Sequence, residues 1–327
     1  MKFHILNSLI DGPYGGGNQF LKALKKELEN QNAYSDTHQA ADCLIANVNP
    51  TAIPELINKI ANNQKPVIAR IDGPISLVRG KDKYIDYLIK EFITLYADGI
   101  VFQSKWSKKE NEKIFNITHQ NSTIISNAAD SRIFFPSNNH HSNHKIKIIT
   151  TSWSGNPRKG FQIYQYLDNN LDFSKYDMTF VGNTTVDFKN IKIIKPLHSN
   201  ELANILRQHD MYITASKNDP CSNSLIEALS CGLPAIALNS GGHPELIGSQ
   251  GELFKGQKDI LEIINRVSKN LDKNIYKKAD HSIQKVSQDY LSFANQTTKQ
   301  KHLTPPKLVQ KKLLLKYRLY QLSKIFL

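Results

Sequence analysis

Cysteine is scarce in this chain: Cys43, Cys221 and Cys231 are its only three and lie far apart without paired spacing. That pattern excludes a disulfide framework and a zinc ribbon and fits a reducing compartment. With 16 glycines and 13 prolines in 327 residues, the chain is neither collagen-like nor a disordered low-complexity polymer. No apolar run approaches the ~20 residues that a membrane-spanning helix needs. The stretch Phe3–Ile10, broken by His4 and Asn7, is too short for a signal peptide. The expected location is therefore the cytoplasm. Acidic residues are missing altogether from residues 301–327, where six Lys and one Arg carry +7 of the total +13 and leave +6 for the other 300 residues. The body is thus only mildly basic. It shows no aromatic-basic platform or known module, so nucleic acid is not an expected partner.

What is present points to an α/β protein. A length of 327 residues favours two domains, and 40% hydrophobic content can fill a sizeable core in each. Short β-rich runs at Lys2–Leu6, Cys43–Asn47, Pro66–Arg70, Gly99–Phe102 and Ser122–Ile125 alternate with amphipathic stretches, the pattern of a parallel sheet covered by helices. Phe20, Leu24 and Leu28 share one helical face, and Tyr84, Leu88, Phe92 and Leu95 mark another over Asp82–Tyr96. The polar run Ser137–His144 breaks the alternation. It reads as a solvated linker more readily than as a metal site, despite its three His. Strands resume at Lys145–Thr151, Met178–Gly182, Met211–Ser216 and Ala235–Asn239. Leu225, Ile226 and Leu229 lie on a helix that stops at Gly232-Leu-Pro234, and Asp259–Asn295 reads as mostly helical. The expected domains are a first Rossmann-like lobe over 1–136, a linker over 137–144, a second lobe over 145–300 and a basic amphipathic tail over 301–327.

Two segments carry chemistry. Asp11-Gly-Pro-Tyr-Gly-Gly-Gly-Asn18 follows the first strand and opens the first helix, where bare backbone amides and the helix dipole attract anions. It is not the dinucleotide fingerprint, because Gly15, Gly16 and Gly17 are consecutive and Phe20 stands where the third fingerprint glycine would fall. A plain tight turn is an equal reading. In the second half Asp219 follows a strand, and Glu227 lies eight positions on within the next helix. The amides of Asn223, Ser224 and Leu225 at that helix start could hold a diphosphate. On spacing alone the two acids read more readily as surface carboxylates.

Asp219 to Glu227, followed by Ala-Leu-Ser-Cys-Gly-Leu-Pro234 and Asn239-Ser-Gly-Gly-His-Pro-Glu245, resembles the Glu-x7-Glu region of family 4 retaining glycosyltransferases. The resemblance extends to Asn127–Pro136, to Arg158-Lys159-Gly160, to Phe180-Val-Gly182 and to Ser104, covering roughly Met1–Phe254. It implies the GT-B fold, two Rossmann-like lobes with a cleft between them. It also implies transfer of a sugar from a nucleoside-diphosphate sugar to a hydroxyl of a glycan or glycolipid, with retained anomeric configuration. In that family's terms Asp219 would contact the sugar hydroxyls, Glu227 the donor ribose, and Lys159, with Arg158, the diphosphate leaving group. Gly16 and Gly17 would let the first helix start come close to the phosphate or acceptor. No cofactor is expected besides the donor substrate, and no metal, since no Asp-x-Asp pair is placed to bridge a diphosphate.

The sequence departs from the family pattern at two places. Asp219 is one methylene shorter than the usual Glu, and Ser154 stands where Arg is common, five residues before Lys159. A noncatalytic nucleotide-sugar-binding protein and a GT-B sugar-nucleotide epimerase stay open as alternatives. Arg70 and Asp72 read equally as a strand-closing ion pair and as an acceptor contact; His198 and His243 read as structural. In the tail, Leu308, Leu315, Leu319, Leu322 and Phe326 form one helical stripe near Lys311, Lys312 and Arg318. That stripe suits peripheral contact with an anionic membrane at its inner face, but Leu313, Leu314 and Tyr317 make the amphipathic face imperfect, and a terminal helix docked on its own protein or a partner is the slightly favoured reading.

Overall fold

The computed structural model describes residues 1–60, 64–136, 145–271, 282–298 and 305–325. The expected linker, 137–144, lies outside the described residues, as does Phe326. The remainder divides into two compact units. One comprises Met1–Leu9, Leu24–Ser126 and Gln284–Leu327; the other comprises Ile10–Ala23 and Asn127–Ile283. The expected boundaries differ from this grouping at four places, among them Ile10–Ala23, expected in the first lobe but part of the second unit, and residues 284–298, expected in the second lobe but part of the first. Asn127–Pro136 joins the second unit because Ala129 and Phe134 are buried in its core. The tail does not stand apart but belongs to the first unit, for the reason given below.

The first unit is a parallel sheet whose strands follow chain order: β1 (Phe3–Ile5), β2 (Cys43–Val48), β3 (Val67–Ile71), β4 (Gly99–Phe102) and β5 (Ser122–Ile124). Leu44 pairs with Val67 and Ile68 with Gly99, which sets the register. Every residue of β2 and β3 is buried, as a strand covered on both faces requires. The connecting helices are α1 (Gly16–Asn30), whose first half through Ala23 groups with the second unit, α2 (Ile53–Ile60), α3 (Ile75–Arg79), α4 (Lys83–Tyr96) and α5 (Lys105–Phe115). On α4 the buried face is Ile85, Leu88, Ile89, Phe92, Ile93 and Tyr96, whereas Tyr84 is exposed. Leu88 and Phe92 of the expected stripe are thus buried and Leu95 packs against the core, while Tyr84 gives way to Ile85 and Ile89, which offer a wholly apolar alternative. Arg70, on β3, is buried, bonds Asn47 and lies 3.7 Å from Asp72, so the strand-closing ion pair is present.

The second unit has a six-stranded parallel sheet in the order β11-β10-β9-β6-β7-β8. The strands are β6 (Ile146–Ser152), β7 (Tyr176–Gly182), β8 (Lys192–Ile194), β9 (Met211–Thr214), β10 (Ala235–Leu238) and β11 (Gly251–Phe254). Alternate side chains go to opposite faces. Ile148, Ile213 and Ile236 enter one core cluster, and Ile149, Tyr212, Ala235 and Ala237 the other. Helices α6 (Phe161–Asn170), α7 (Ser199–Leu206), α8 (Asn223–Ser230), α9 (His243–Ile247) and α10 (Ile260–Ser268) connect these strands or follow them. The chain leaves β6 for β7 and β8, then returns to β6's other side for β9, so the strand order reverses between β6 and β9.

Two C-terminal helices complete the first unit: α11 (Ile283–Thr297) and α12 (Lys307–Ile325). Ser287 and Thr297 on α11 take hydrogen bonds from Gln31 and Asn121. Helix α12 packs on α2 and α4 through Leu313 and Tyr317, both buried in the first unit's core. The Tyr317 hydroxyl donates to the Pro50 carbonyl, and Lys316 pairs with Glu91 at 2.8 Å. Among the described residues, no helix is long and apolar enough to cross a membrane.

Candidate active site

In an open parallel sheet, helices leave opposite sides where the strand order reverses, and a crevice opens at the carboxyl ends of the two strands. In the second unit those strands are β6 and β9. After β6 the chain turns through Ser154–Asn156 into a 3-10 turn, Pro157–Lys159, which Asn156 caps by accepting a hydrogen bond from the Arg158 amide at 2.9 Å. Gly160 ends the turn at φ +86°, and a methyl group there would sit 2.4 Å from the Ala215 carbonyl oxygen at the end of β9. Only glycine permits that approach. It brings Lys159 beside the loop that leaves β9, where its ammonium lies 3.0 Å from the Asp219 carboxylate. Tyr164 on α6 fastens the two strand ends beneath, its hydroxyl accepting from Thr150 at 3.0 Å and from the Ala215 amide at 3.1 Å.

The loop after β10 closes on the same carboxylate residue. Gly242 donates to the Asp219 carbonyl at 2.8 Å. At Gly241, φ +64°, a methyl would lie 2.3 Å from that oxygen. His243 begins α9 fully buried, with its Nδ1 donating to the Leu238 carbonyl at 2.9 Å. Its Nε2 has no hydrogen-bond partner among the described residues. Burial lowers the His243 pKa despite the neighbouring Asp219 charge, so the ring is neutral with an open acceptor nitrogen. Sequence reasoning had set this residue aside as structural; the signal available was its place within Gly241-Gly-His-Pro-Glu245.

The electrostatics of the pair are those of a pre-formed ion pair. Burial alone would lower the Lys159 pKa, but the charge and hydrogen bond of Asp219 outweigh it, so the ammonium stays protonated. Burial would likewise raise Asp219, yet Lys159, His243 and the Cys221 amide hold it below its ordinary value. Arg158 sits in the same turn, and its guanidinium has no ion-pair partner among the described residues.

Helix α8 supplies the remaining groups. Ser222 caps it, accepting from the Leu225 amide at 3.4 Å. The Leu225 amide is therefore already used, and the amides at the helix start without a partner among the described residues are those of Asn223 and Ser224. Asn127 donates to the Asn223 side chain at 3.0 Å, a contact not foreseen from sequence. Gly16 begins α1 directly against Asn223, where an added methyl would meet the Asn223 Cβ at 2.6 Å, while Gly17 has open space around it. The first residues of two helices thus touch, and both ends carry partial positive charge. The carboxyl of Glu227, one turn into α8, makes no hydrogen bond or ion pair among the described residues, while its carbonyl accepts from the Cys231 amide at 3.1 Å. Burial pushes its carboxyl up to about 8. Tyr14 and Trp153 stand near the glycine loop, half exposed with ring centroids 5.8 Å apart.

Residues 188–288 match the family model of the group 1 glycosyl transferases. That stretch contains Asp219, Asn223, Ser224, Leu225, Glu227 and the Gly241-Gly-His243 loop, but not Arg158 or Lys159. Among solved structures, HepE of Anabaena, determined in complex with UDP, superposes with a TM-score of 0.64 at 14% identity over 91% of this chain and 99% of that one. Sucrose-phosphate synthase of Thermosynechococcus elongatus gives a TM-score of 0.60 at 12% identity over 89% and 79%. The fold is GT-B. A curated relative, the phosphatidylinositol N-acetylglucosaminyltransferase GPI3 subunit of Saccharomyces cerevisiae, is 22% identical over 130 residues, 36% of this chain and 29% of the relative. This chain thus covers less than a third of that relative's length.

Proposed function

We propose that this protein transfers a sugar from a nucleoside-diphosphate sugar to a hydroxyl of a glycan or glycolipid, with retention of anomeric configuration. The observation that carries the reading is Lys159, a cation held by Asp219 at the point of strand reversal, with the free amides of α8 on the following segment. Departure of a nucleoside diphosphate builds negative charge on its phosphates, and fixed donors that need no reorganisation stabilise that charge as it develops. Lys159, Arg158 and the Asn223 and Ser224 amides do so, with the glycine start of α1 adding a second helix end. No divalent ion is assigned a part in this charge balance, so transfer is proposed to persist in chelator.

Glu227 is an acid without a partner on the helix that would hold the diphosphate, and ribose hydroxyls donating to it would favour its ionised form. Asp219 keeps an oxygen for a sugar hydroxyl, and the open Nε2 of His243 accepts a second. In the retaining reaction the bond from the anomeric carbon to the diphosphate oxygen breaks while the acceptor oxygen attacks the same face, its proton passing to the departing phosphate oxygen. The protein is proposed to act in the cytoplasm, at the inner face of a membrane where the acceptor is lipid-linked.

The test is transfer or donor hydrolysis by the purified protein with glucose-, mannose- and N-acetylglucosamine-type donors, with product configuration read by NMR. Glu227→Gln should chiefly raise KM for the donor and Lys159→Ala should chiefly lower kcat. Full activity in both variants would remove the site assignment, and an inverted product would remove retention.

A further inference from the structure

Helix α12 has two apolar faces, and among the described residues only one is packed against the protein. Leu313 and Tyr317 are buried in the first unit, with Leu314 and Tyr320 packed beside them. On the other side Leu308, Leu315, Leu319 and Leu322 are 65%, 57%, 57% and 51% exposed. At about 100° per residue these four fall within an arc of roughly 60°, about 170° from the buried pair. Lys311 and Lys312 flank the arc within about 20° of its two edges, and Arg318 lies about 40° beyond one of them. All three are exposed. The helix carries five Lys and one Arg and no acid. Lys316 is the base turned to the protein, on Glu91.

We infer that this face of α12 is an interfacial docking surface for an anionic phospholipid bilayer. Four aligned leucines on a surface helix form an apolar strip that water disfavours. The bases at its edges can lay their methylene stems along the strip and reach outward to headgroup phosphates. Charge chooses the occupant. A second copy meeting this face would set Lys311, Lys312 and Arg318 against the same residues with no acid on either helix, whereas anionic lipid complements them. Because Leu313 and Tyr317 tie the opposite side to the core, the strip is held in place, ready to lie flat in a headgroup layer. The inference adds a surface to the transferase reading and fails separately from it, since vesicle binding requires no donor.

The test uses the full chain, because deleting α12 would also remove Leu313 and Tyr317 from the core. Sedimentation is compared with vesicles of phosphatidylcholine alone and of phosphatidylcholine with about one third phosphatidylserine. Binding should require the anionic lipid and weaken with salt. Lys311→Gln with Lys312→Gln should weaken it about 25-fold, fivefold for each charge. Leu315→Gln with Leu319→Gln should weaken it at least about tenfold, with melting curves unchanged because both positions are exposed. As a second measurement, Leu319→Cys is labelled with an environment-sensitive dye, the native Cys43, Cys221 and Cys231 all being buried. Its emission should shift to the blue on adding anionic vesicles. Equal binding by wild type and the glutamine variants, equal binding to neutral vesicles, or an unshifted dye would overturn the inference. Self-association lost in Leu315→Gln with Leu319→Gln, without vesicle binding, would assign the face to a second copy and overturn it as well.

Discussion

Replacing Glu227 with Gln should make the empty protein more stable at alkaline pH while weakening its hold on nucleotide. The carboxyl of Glu227 stands at about 8 in the folded protein against an ordinary 4.5, because burial disfavours its charged form. Below pH 4.5 folded and unfolded chains both hold the proton, and this side chain adds no pH dependence. Between 4.5 and 8 the folded state keeps a proton that the unfolded state has lost, so stability falls as pH rises, by at most ~1.4 kcal/mol per unit. Above 8 both states are ionised and the penalty is complete. A side chain that retains some contact with water realises part of that maximum, about 2–3 kcal/mol over the whole window. Gln has the same shape and never ionises, so Glu227→Gln should match wild type near pH 5 and exceed it by about 2–3 kcal/mol at pH 8.5. Urea unfolding across this range measures the difference. Trp153 reports the second unit once Trp106, in the first, is replaced by Phe. Wild-type and variant curves separated by a constant amount at every pH would refute a raised Glu227 pKa. The proposed nucleoside-diphosphate donor should bind the variant about 10- to 100-fold more weakly, since hydrogen bonds to a charged acceptor contribute about 1.5–3 kcal/mol.

Lys159→Ala should lower kcat by about 10²–10³ with little change in KM, and Lys159→Arg should restore part of it; donor turnover at saturation checks both. Gly160→Ala should destabilise the second unit by about 2–3 kcal/mol, since the added methyl meets the Ala215 oxygen at 2.4 Å in a left-handed backbone; Trp153-detected denaturation reads the loss. Leu313→Ala should cost the first unit about 2–5 kcal/mol, seen through Trp106, whereas Leu315→Ala on the exposed face of the same helix should change stability by less than about 0.5 kcal/mol.

The amino-acid sequence by itself determined the elements whose signal is local. The short, mostly apolar runs of β2 and β3, interrupted only by Asn47 and Arg70, read as strands and are buried along their whole length. Gly232-Leu-Pro234 ended α8 near where its last residue lies, and eight positions between Asp219 and Glu227 placed one acid before that helix and the other within it. The short edge strand β8 and the β11 strand escaped notice, since three or four residues beside loops carry too little periodicity to stand out. Tertiary structure alone decided what meets across the chain. Lys159 and Asp219 are 60 residues apart, and they touch because the chain doubles back across β6 to place β9 there, an ordering of strands that no local pattern encodes. His243 becomes a candidate only in the fold, where the loop after β10 closes on Asp219 and one ring nitrogen has no hydrogen-bond partner among the described residues. In α12 the apolar residues occupy opposite sides and cancel as an amphipathic signal, so the sequence offered docking and membrane contact as alternatives. Packing of Leu313 and Tyr317 into the first unit separated them into two faces, because a side chain's burial depends on the partner surface and not on its own spacing.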